Sequence, residues 1–373
     1  METLKCLTDN PDLLMPEYGG NSILNLSVSI AKRFGVKRPG RGLKDLDLNK
    51  KVIMVLLDGF GSHIMKNSGI SDTYRPITTV FPSTTSSVLA TIATGMPPAD
   101  HGLIGYIAFS RELGTRINVL DYTLPGTGSS VEKLGKMSAV FGEIKPIASE
   151  LDSATAIAII PHYHTRSPLS LALYGGAKVA GYLNLWDALA QVHFSAAQGM
   201  DYIFLYVPYI DTAAHVYGPY SEATAITANE IYSAVRKYLS KLTKNYDVLI
   251  TADHGHIEVS DNIYLDADRE LMEKLEVPPY GDVRMISLDS REDITPYIRG
   301  KYENLPTFSR KEVSPLFGGQ ENNVIKRRVG SYVAVATDRK AYLTKSLRDE
   351  NATLKGHHSS LFMEEMEIPL VIL

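Results

Sequence analysis

Six short apolar runs along the chain lack the alternation of polar and apolar residues that half-exposed strands show. They are Val52–Leu57, Ala156–Ile160, Tyr202–Val207, Val248–Thr251, Tyr332–Ala336 and Pro369–Leu373. Unbroken runs of this length, rich in Val, Ile and Leu, are typical of parallel strands when helices cover both faces of the sheet. The pattern therefore predicts the strands of a mainly parallel sheet.

Segments with helical character lie between these runs. They are Ser22–Phe34, Thr85–Thr94, Leu183–Gln198 and Glu222–Thr243, the last with Ser221 as a candidate N-cap. Strands that alternate with helices indicate an α/β fold. We therefore predict a mainly parallel central sheet with helices on both faces.

Two stretches depart from this alternation. Residues 105–150 are rich in Gly and Ser, and residues 262–330 are dense in charge and Pro. We expect the first stretch to form an excursion above the sheet and the second to form a small cap. The chain contains no internal repeat and no low-complexity tract. We predict one catalytic domain over residues 1–373, with a cap subdomain at 262–330.

The composition of the 373-residue chain narrows the classes of function. Because 44% of the residues are hydrophobic, the chain can bury a large core. The formal net charge is -4, and there is no basic run or stripe of basic and aromatic residues. The sequence therefore predicts no nucleic-acid-binding surface, although a small phosphate substrate stays open. Nothing in the sequence indicates the oligomeric state.

Cysteine content and hydropathy bear on the cellular location. Cys6 is the only cysteine, which excludes an intrachain disulfide and a paired-cysteine metal site. Residues 1–30 are interrupted by acids, prolines and glycines and hold no apolar signal-peptide core. No stretch approaches the roughly 18 apolar residues of a membrane span. We therefore predict a cytoplasmic protein without membrane contact.

Acidic and histidine residues follow three of the apolar runs. Asp58 comes directly after the first run, Asp211 and His215 follow the third, and Asp253 and His254 follow the fourth. The carboxyl ends of parallel strands form the edge where open α/β sheets bind ligands, so we expect these residues to converge there. Buried carboxylates cost on the order of several kcal/mol each unless a cation offsets them. Mixed nitrogen and oxygen donors favour zinc, with manganese as the alternative.

The remaining histidines receive weaker assignments. His101, in an Asp-His-Gly turn, is expected to shape the site without binding metal, and His256 to support a ligand at most. Four others have no acidic companion at an informative spacing, and we expect them to be structural or surface residues: His63, His162, His164 and His193.

A helix entry supplies candidate nucleophiles. Pro82 is followed by Ser83 and Thr84, and either hydroxyl residue is a good candidate for the start of a helix. Thr85 comes directly after them. Gly95 is a good helix stop. A hydroxyl at a helix N-terminus lies among free N–H groups, which suits an anionic phosphoryl group. Most such residues are only caps, because a threonine hydroxyl needs a metal or a base to become a nucleophile.

The order of these motifs resembles the alkaline phosphatase superfamily, specifically its nucleotide pyrophosphatase/phosphodiesterase branch. The resemblance runs from Val52 to the C-terminus. It is carried by Asp58-Gly59, the Pro-x-x-Thr entry, Thr94-Gly95 with His101-Gly102, Asp211-x-x-x-His215 with Tyr217-Gly218-Pro219, Ala252-Asp253-His254-Gly255 and Gly356-His357-His358. Any one of these motifs is weak, whereas their joint occurrence in one order is specific.

The resemblance implies two metal sites. One ion is held by Asp58, Thr85, Asp253 and His254, and the other by Asp211, His215 and His358. Thr85 is chosen over Thr84 because it keeps the family spacing to Thr94-Gly95. His358 is chosen over His357 because the family pattern is Gly-x-His followed by two small residues, here Ser359-Ser360.

The resemblance also implies a mechanism. Two divalent ions, zinc or manganese, would bring four positive charges, and three aspartates with a Thr85 alkoxide would bring four negative charges. Ions in such pairs lie about 4 Å apart and clamp the attacking and leaving oxygens of an in-line displacement. Thr85 would attack phosphorus to form a phosphothreonine, which water would hydrolyse with overall retention of configuration. The substrate would be a small phosphate ester, a nucleotide among the candidates.

Two positions depart from the family pattern and leave the substrate open. Ser86 stands where nucleotide-cleaving relatives place an aromatic residue that stacks a base. Tyr106 stands where they place an asparagine that binds a phosphate oxygen, although its hydroxyl can also donate a hydrogen bond. Phe109, Tyr163 and Tyr209 are further aromatic candidates for the pocket, with core packing as their alternative role.

Other functions remain as alternatives. Phosphomonoester hydrolysis and phosphonate hydrolysis use the same metal constellation. A sulfatase is disfavoured because its Cys/Ser-x-Pro-x-Arg segment is absent. A cofactor-independent phosphoglycerate mutase is disfavoured because the segment between Thr85 and Asp211 is too short for its large inserted domain. From another class, a non-catalytic metal-binding protein on the same scaffold stays open.

Overall fold

The computed structural model describes residues 4–151, 154–344 and 352–373. Within these ranges the strands are β1 (Lys51–Leu57), β2 (Arg75–Thr78), β3 (Ile107–Ser110), β4 (Thr115–Asn118), β5 (Ala156–Pro161), β6 (Lys178–Tyr182), β7 (Tyr202–Val207), β8 (Tyr246–Thr251), β9 (Ile257–Glu258), β10 (Asp261–Tyr264), β11 (Tyr280–Gly281), β12 (Met285–Leu288), β13 (Thr307–Ser309), β14 (Tyr332–Val335), β15 (Lys340–Leu343), β16 (Gly356–His357) and β17 (Glu367–Ile372).

The helices lie mostly between these strands. They are α1 (Lys5–Thr8), α2 (Ile23–Arg33), α3 (Ser62–Asn67), α4 (Thr85–Thr94), α5 (Pro98–His101), α6 (Met137–Phe141), α7 (Pro168–Leu173), α8 (Leu185–Ala197), α9 (Tyr209–Tyr217), α10 (Glu222–Leu239), α11 (Arg269–Lys274), α12 (Thr295–Lys301), α13 (Arg310–Val313), α14 (Asn323–Arg328) and α15 (Met363–Met366). Among the described residues, none of the helices combines the length and the apolar character that crossing a bilayer requires.

The central sheet has seven strands in the order β2-β17-β8-β1-β7-β5-β6. Strand β1 pairs in parallel with β7 on one side and β8 on the other, and β5 pairs in parallel with β7 and β6. Every residue of β7 is buried, so both faces of the sheet are covered. This sheet confirms the predicted α/β fold with a mainly parallel centre.

The two C-terminal apolar runs differ from the prediction. Strand β17 lies in the central sheet but pairs antiparallel with β8 and β2. Strand β14 does not belong to the central sheet at all, so the prediction of a parallel strand at Tyr332–Ala336 is wrong. Val333 and Val335 face one hydrophobic cluster and Ala334 faces another. Burial on both faces of an antiparallel sheet therefore produced the same unbroken apolar pattern.

The predicted helices agree with the structure to within a few residues. Helix α4 spans the predicted residues and ends at Gly95, which adopts φ +66° in the left-handed region that glycine favours. Ser221 is the N-cap of α10, because its hydroxyl accepts a hydrogen bond from the Thr224 amide at 3.2 Å. Helix α9, which carries Asp211 and His215, was not among the predicted helices.

A second sheet joins two distant parts of the chain. Its six strands run in the order β13-β14-β12-β11-β3-β4, and all of its pairs are antiparallel. Residues 107–118 thereby pair with residues 280–335. The tight turn between β11 and β12 contains Asp282, whose amide donates to the Met285 carbonyl at 2.8 Å. The role of residues 262–330 as a cap subdomain stays a prediction.

Candidate metal centre

The order of the central strands brings the three predicted aspartates together. Strands β8, β1 and β7 are neighbours, and Asp253, Asp58 and Asp211 follow them at the same edge of the sheet. The Asp58 amide donates to the Val207 carbonyl at 2.9 Å, and the Asp211 amide donates to the Asp58 carbonyl at 2.9 Å. The backbone after β1 therefore fixes the start of α9 directly.

Gly59 allows this close approach. Its φ is +72°, and a Cβ there would lie 2.8 Å from the Asp211 Cα and 2.8 Å from His256 Nε2. A side chain would therefore push α9 and His256 away from the end of β1, and only glycine adopts this backbone conformation without strain.

Asp58, Asp253, His254 and Thr85 form a first cluster. His254 Nε2 lies 3.4 Å from Asp253 Oδ2, 3.7 Å from Asp58 Oδ1 and 3.2 Å from Thr85 Oγ1. One ligand atom from each of the two aspartates and the histidine fits within 4.8 Å of the others. All four residues are buried. The cluster therefore has the donor types and spacing of a cation site.

Each carboxylate of this cluster is anchored through one oxygen. Asp253 Oδ1 accepts from the amides of Gly59 at 3.0 Å and His254 at 2.9 Å. Asp58 Oδ2 accepts from the Tyr206 hydroxyl. Asp58 Oδ1 and Asp253 Oδ2 are buried without a hydrogen-bond partner among the described residues. Orphaned buried oxygens of this kind need a partner, and a cation between them satisfies both.

Asp211, His215 and His358 form a second cluster. His215 Nε2 lies 3.3 Å from Asp211 Oδ1. His358 comes from the far end of the chain, where β16 pairs antiparallel with β9 and sets His357 opposite Ile257. The His254 and His358 rings stack with centroids 3.7 Å apart. The two clusters are therefore adjacent.

Backbone carbonyls fix the orientation of the three predicted histidine ligands. His254 Nδ1 lies 3.1 Å from the Gly255 carbonyl, His215 Nδ1 lies 2.7 Å from Gly356, and His358 Nδ1 lies 2.8 Å from Ser83. Because a carbonyl only accepts, each Nδ1 donates its hydrogen, and Nε2 is the ring nitrogen that remains for coordination.

His256 orients Asp211. Its Nε2 lies 2.9 Å from Asp211 Oδ1, so the ring donates to that carboxylate. Burial lowers the pKa of His256 to about 3, which keeps the ring neutral. His256 Nδ1 has no partner among the described residues. The supporting role of His256 stays a prediction, because one oxygen of Asp211 also lies within 4.8 Å of nitrogens of His254 and His256, a spacing that could itself hold a cation.

The electrostatics of the clusters favour a bound cation. Burial, followed by the charges of Asp253 and Asp211, raises the pKa of Asp58 well above its ordinary value. Burial also opposes ionisation of Asp211, but His215 and His256 outweigh it and hold the Asp211 pKa well below its usual range. Burial and the neighbouring His254 lower the pKa of His358 well below its ordinary value. The site therefore crowds buried carboxylates beside imidazoles, an arrangement that a divalent cation stabilises.

Thr85 and Thr84 have different partners at the start of α4. Thr85 Oγ1 donates to His254 Nε2 and faces the first cluster. The hydroxyl of Thr84, the N-cap residue, makes no cap hydrogen bond and lies 3.2 Å from Asp282 Oδ1. The Thr84 side chain therefore does not cap the first amides of α4. This geometry favours Thr85 as the nucleophile, and the assignment stays a proposal.

A cavity of about 190 Å³ lies beside Thr85 and the second cluster. Its described lining consists of Thr84, Thr85, Tyr106, Leu120, Asp211, His215, Asp282, Val283, His357 and His358. The Tyr106 hydroxyl accepts from Asn118 Nδ2 at 2.8 Å. The Tyr106 amide donates to Asp282 Oδ1 at 3.1 Å. Tyr106 thus lies in the wall of the cavity, and its binding of a phosphate oxygen stays a proposal.

The sequence did not indicate Tyr206 and Asp282. The proximity of Tyr206 to Asp58 could have been inferred from strand register. Tyr206 pairs with Leu56, and Asp58 follows two residues later on the same face of the sheet. Asp282 lies 198 positions from Thr84, and no local pattern connects the two. Burial raises the pKa of Asp282 to about 7.

The other histidines and aromatic candidates lie outside the two clusters. His101 Nε2 is 3.1 Å from the Thr91 hydroxyl, and its Nδ1 accepts from the Leu103 amide, so it supports α4. Phe109 packs against Tyr280 with ring centroids 5.7 Å apart. Tyr163 is 63% exposed.

The fold and the two adjacent clusters define a member of the alkaline phosphatase superfamily. Within it, the chain belongs to the type I phosphodiesterase/nucleotide pyrophosphatase family, whose model matches residues 52–361. The protein is accordingly an enzyme, a metal-dependent hydrolase of phosphoric esters. No curated protein matches the chain in sequence.

Several solved structures share this fold. Murine ectonucleotide pyrophosphatase/phosphodiesterase 5 is 19% identical, with a TM-score of 0.65 over 86% of this chain and 87% of its own. An inactive threonine-to-alanine variant of that murine protein, in complex with AMP, is 19% identical and has a TM-score of 0.64 over 86% and 87% of the two chains. Phosphonoacetate hydrolase from Sinorhizobium meliloti 1021, in complex with phosphonoacetate, is 18% identical with a TM-score of 0.62 over 88% and 92%. At these identities the likeness shows the fold alone.

Proposed function

We propose that the protein hydrolyses small phosphodiesters through a phosphothreonine on Thr85, with two divalent cations as cofactors. One observation carries the proposal. The orphaned oxygens Asp58 Oδ1 and Asp253 Oδ2 lie beside His254 Nε2, to which the Thr85 hydroxyl donates at 3.2 Å. A cation at these oxygens would be adjacent to the hydroxyl that it must activate.

The donors divide into two sets. Asp58, Thr85, Asp253 and His254 would hold the first ion, and Asp211, His215 and His358 would hold the second. Nitrogen and carboxylate oxygen donors in these numbers suit zinc, and manganese is the alternative. When bound, such ions lower the pKa of the hydroxyl and stabilise the charge that develops on the phosphoryl oxygens.

The reaction would proceed through two displacements. Thr85 Oγ1 would give up its proton and form a bond to phosphorus while the bond to the leaving oxygen breaks, and the leaving oxygen would gain a proton and depart as an alcohol. The phosphothreonine would keep the second ester group of the diester. Water then attacks the phosphothreonine, restores the Thr85 hydroxyl and releases the phosphoryl product. Two inversions retain the configuration at phosphorus. The open amides at the start of α4 can hold a phosphoryl oxygen in both steps.

The described cavity lining favours a diester over a substrate with a second anionic group. It contains no lysine and no arginine among the described residues. Phosphonoacetate carries a carboxylate beside its phosphonate, and this cavity offers that carboxylate no cationic side chain. A nucleotide fits the family, and AMP is bound in the murine relative. Ser86, however, provides no aromatic ring for a base.

The proposal is tested with metal-depleted protein reloaded with zinc or manganese. We expect bis-p-nitrophenyl phosphate to be hydrolysed only after reloading. Thr85→Ala should lower kcat by roughly 10³-fold or more, because the nucleophile is lost. Thr85→Ser should retain measurable turnover, since it keeps a hydroxyl. Mass spectrometry of wild-type protein quenched during turnover of bis-p-nitrophenyl phosphate should find a p-nitrophenylphosphoryl group on Thr85.

Two results would oppose this function. Turnover by Thr85→Ala at near-wild-type rates would remove the phosphothreonine from the mechanism. Absence of turnover by reloaded wild-type protein, with both ions bound, would favour a non-catalytic metal-binding protein.

A further inference from the structure

Asp282 is a buried acid in the cavity that the proposed mechanism does not use. Its side chain enters from the β11–β12 turn of the second sheet, and the residue is 8% exposed. Oδ1 accepts from the Thr84 hydroxyl at 3.2 Å and from the Tyr106 amide at 3.1 Å. Oδ2 has no hydrogen-bond partner among the described residues. One carboxylate oxygen is thus anchored and the other is free.

The surroundings of Asp282 belong to the reaction site. Thr84, which Oδ1 holds, immediately precedes the proposed nucleophile Thr85. Tyr106, whose amide Oδ1 also holds, occupies the position where the family pattern has a phosphate-binding asparagine. All four residues line the same cavity. Gly105 packs closely on this carboxyl, because a Cβ there would lie 3.0 Å from Oδ2.

As a lining residue, Asp282 brings a negative charge to this part of the cavity when its carboxyl is ionised. No lysine or arginine among the described residues lines the cavity to neutralise it. A phosphomonoester dianion has one more ionised oxygen on phosphorus than a phosphodiester. A nearby carboxylate therefore repels the monoester more strongly, and burial strengthens that repulsion.

We propose that Asp282 is a specificity-determining residue that selects phosphodiesters by repelling the second ionised oxygen of monoesters. The inference rests on the proposed function and names a substrate preference of the same site. The Thr84 hydroxyl donates to Asp282 Oδ1 and makes no cap hydrogen bond to the amides of α4, so these amides would be available to a phosphoryl oxygen. The Asp282 carboxylate would then exclude the second charge of a monoester, while the α4 amides bind one phosphoryl oxygen.

Asp282→Asn tests the charge directly. The amide oxygen can keep both hydrogen bonds of Oδ1, and the amide nitrogen replaces the repelling Oδ2 with a donor. We measure kcat/KM for p-nitrophenyl phosphate and bis-p-nitrophenyl phosphate at pH 8.5, above the pKa of about 7 to which burial raises the Asp282 carboxyl. The ratio of monoester to diester efficiency should rise about tenfold or more, by the Coulomb interaction of one charge pair.

Two variants control for indirect effects. Thr84→Val removes one hydrogen bond to Asp282 but keeps its charge, so both substrates should lose efficiency by a similar factor. Asp289→Asn changes another buried aspartate, which contacts Arg111 and Tyr280 and is absent from the described cavity lining. Its substrate ratio should stay at the wild-type value.

Thermal unfolding and zinc content establish that each variant is folded and loaded. A substrate ratio for Asp282→Asn within twofold of the wild type, in folded and loaded protein, would overturn the inference while the proposed function stands. If the loaded wild type hydrolyses neither substrate, the proposed function fails and the selectivity falls with it.

Discussion

Arg284 and Glu365 form a fully buried ion pair. Its loss should lower the stability of the fold and weaken cation binding by both proposed ligand sets. Both side chains are 0% exposed. Arg284 lies in the same β11–β12 turn as Asp282, and Glu365 lies in α15. The Glu365 carbonyl also accepts from the Gly255 amide at 3.0 Å, directly after His254. One pair therefore connects the second sheet, the C-terminal segment and the loop after β8.

The contacts of Glu365 set the expected magnitude. Its carboxylate accepts from Arg284 Nε at 2.9 Å and Nη2 at 3.3 Å, and from the amides of Ser360 at 3.0 Å and Phe362 at 3.2 Å. Removal of one partner of a buried pair typically costs about 3–5 kcal/mol, because the other charge stays buried without compensation. At roughly 2 °C per kcal/mol for a chain of this size, Tm should fall by about 6–10 °C.

Unfolding of chelated protein measures this effect. We compare Arg284→Met, Glu365→Met and the double variant with the wild type. The double variant should lose less stability than the two single losses combined, because no unpaired charge remains. Zinc titration should show weaker binding in Glu365→Met, since the Ser360 and Phe362 amides hold the segment that follows His358.

An exposed pair provides the control. Arg291 and Glu276 lie 2.6 Å apart with side chains 89% and 44% exposed, so Arg291→Met should change Tm very little. Additive losses in the Arg284 and Glu365 double variant, or single losses as small as that of Arg291→Met, would refute the reasoning.

Two further predictions concern Asp58. Tyr206→Phe removes the hydroxyl that donates to Asp58 Oδ2 and should weaken zinc binding about 10–100-fold, measured by competition with a chelator; unchanged affinity would contradict it. In metal-free protein the pKa of Asp58 is higher in the folded state than in the unfolded state. Ionisation of Asp58 therefore favours the unfolded state, and the free energy of unfolding decreases as the pH rises above about 4. Asp58→Asn should therefore gain free energy of unfolding over the wild type between pH 4 and pH 8 in urea titrations, whereas a pH-independent difference would contradict this.

The apolar pattern of the sequence predicted the central strands well, because these strands are buried on both faces and lie next to each other in the parallel part of the sheet. Strands β1, β7 and β8 are buried on both faces, so their apolar runs are unbroken. Parallel strands end at one edge, and Asp58, Asp211 and Asp253 follow those ends. The convergence of the three acids could therefore be inferred without any long-range contact being known.

The second sheet could not be predicted from the apolar pattern. Its strands are mostly short and come from two segments more than 150 positions apart along the chain. Strand β14 resembles a parallel strand only because clusters on both of its faces bury it. Edge strand β6 was missed because most of its residues are exposed or half-buried. Asp282 and Glu365 depend on these long-range pairings, so no spacing in the sequence indicates them.

The three proposed histidine ligands are held in place by the fold, without a bound ion. His254, His215 and His358 each donate Nδ1–H to a backbone carbonyl, so the ring orientation is set by the fold. Asp58 and Asp253 are likewise anchored through one oxygen each. The repulsion between their free oxygens is therefore built into the folded chain and is not relieved by rotation of the side chains. A divalent cation relieves it, and the fixed donors restrict which cation fits.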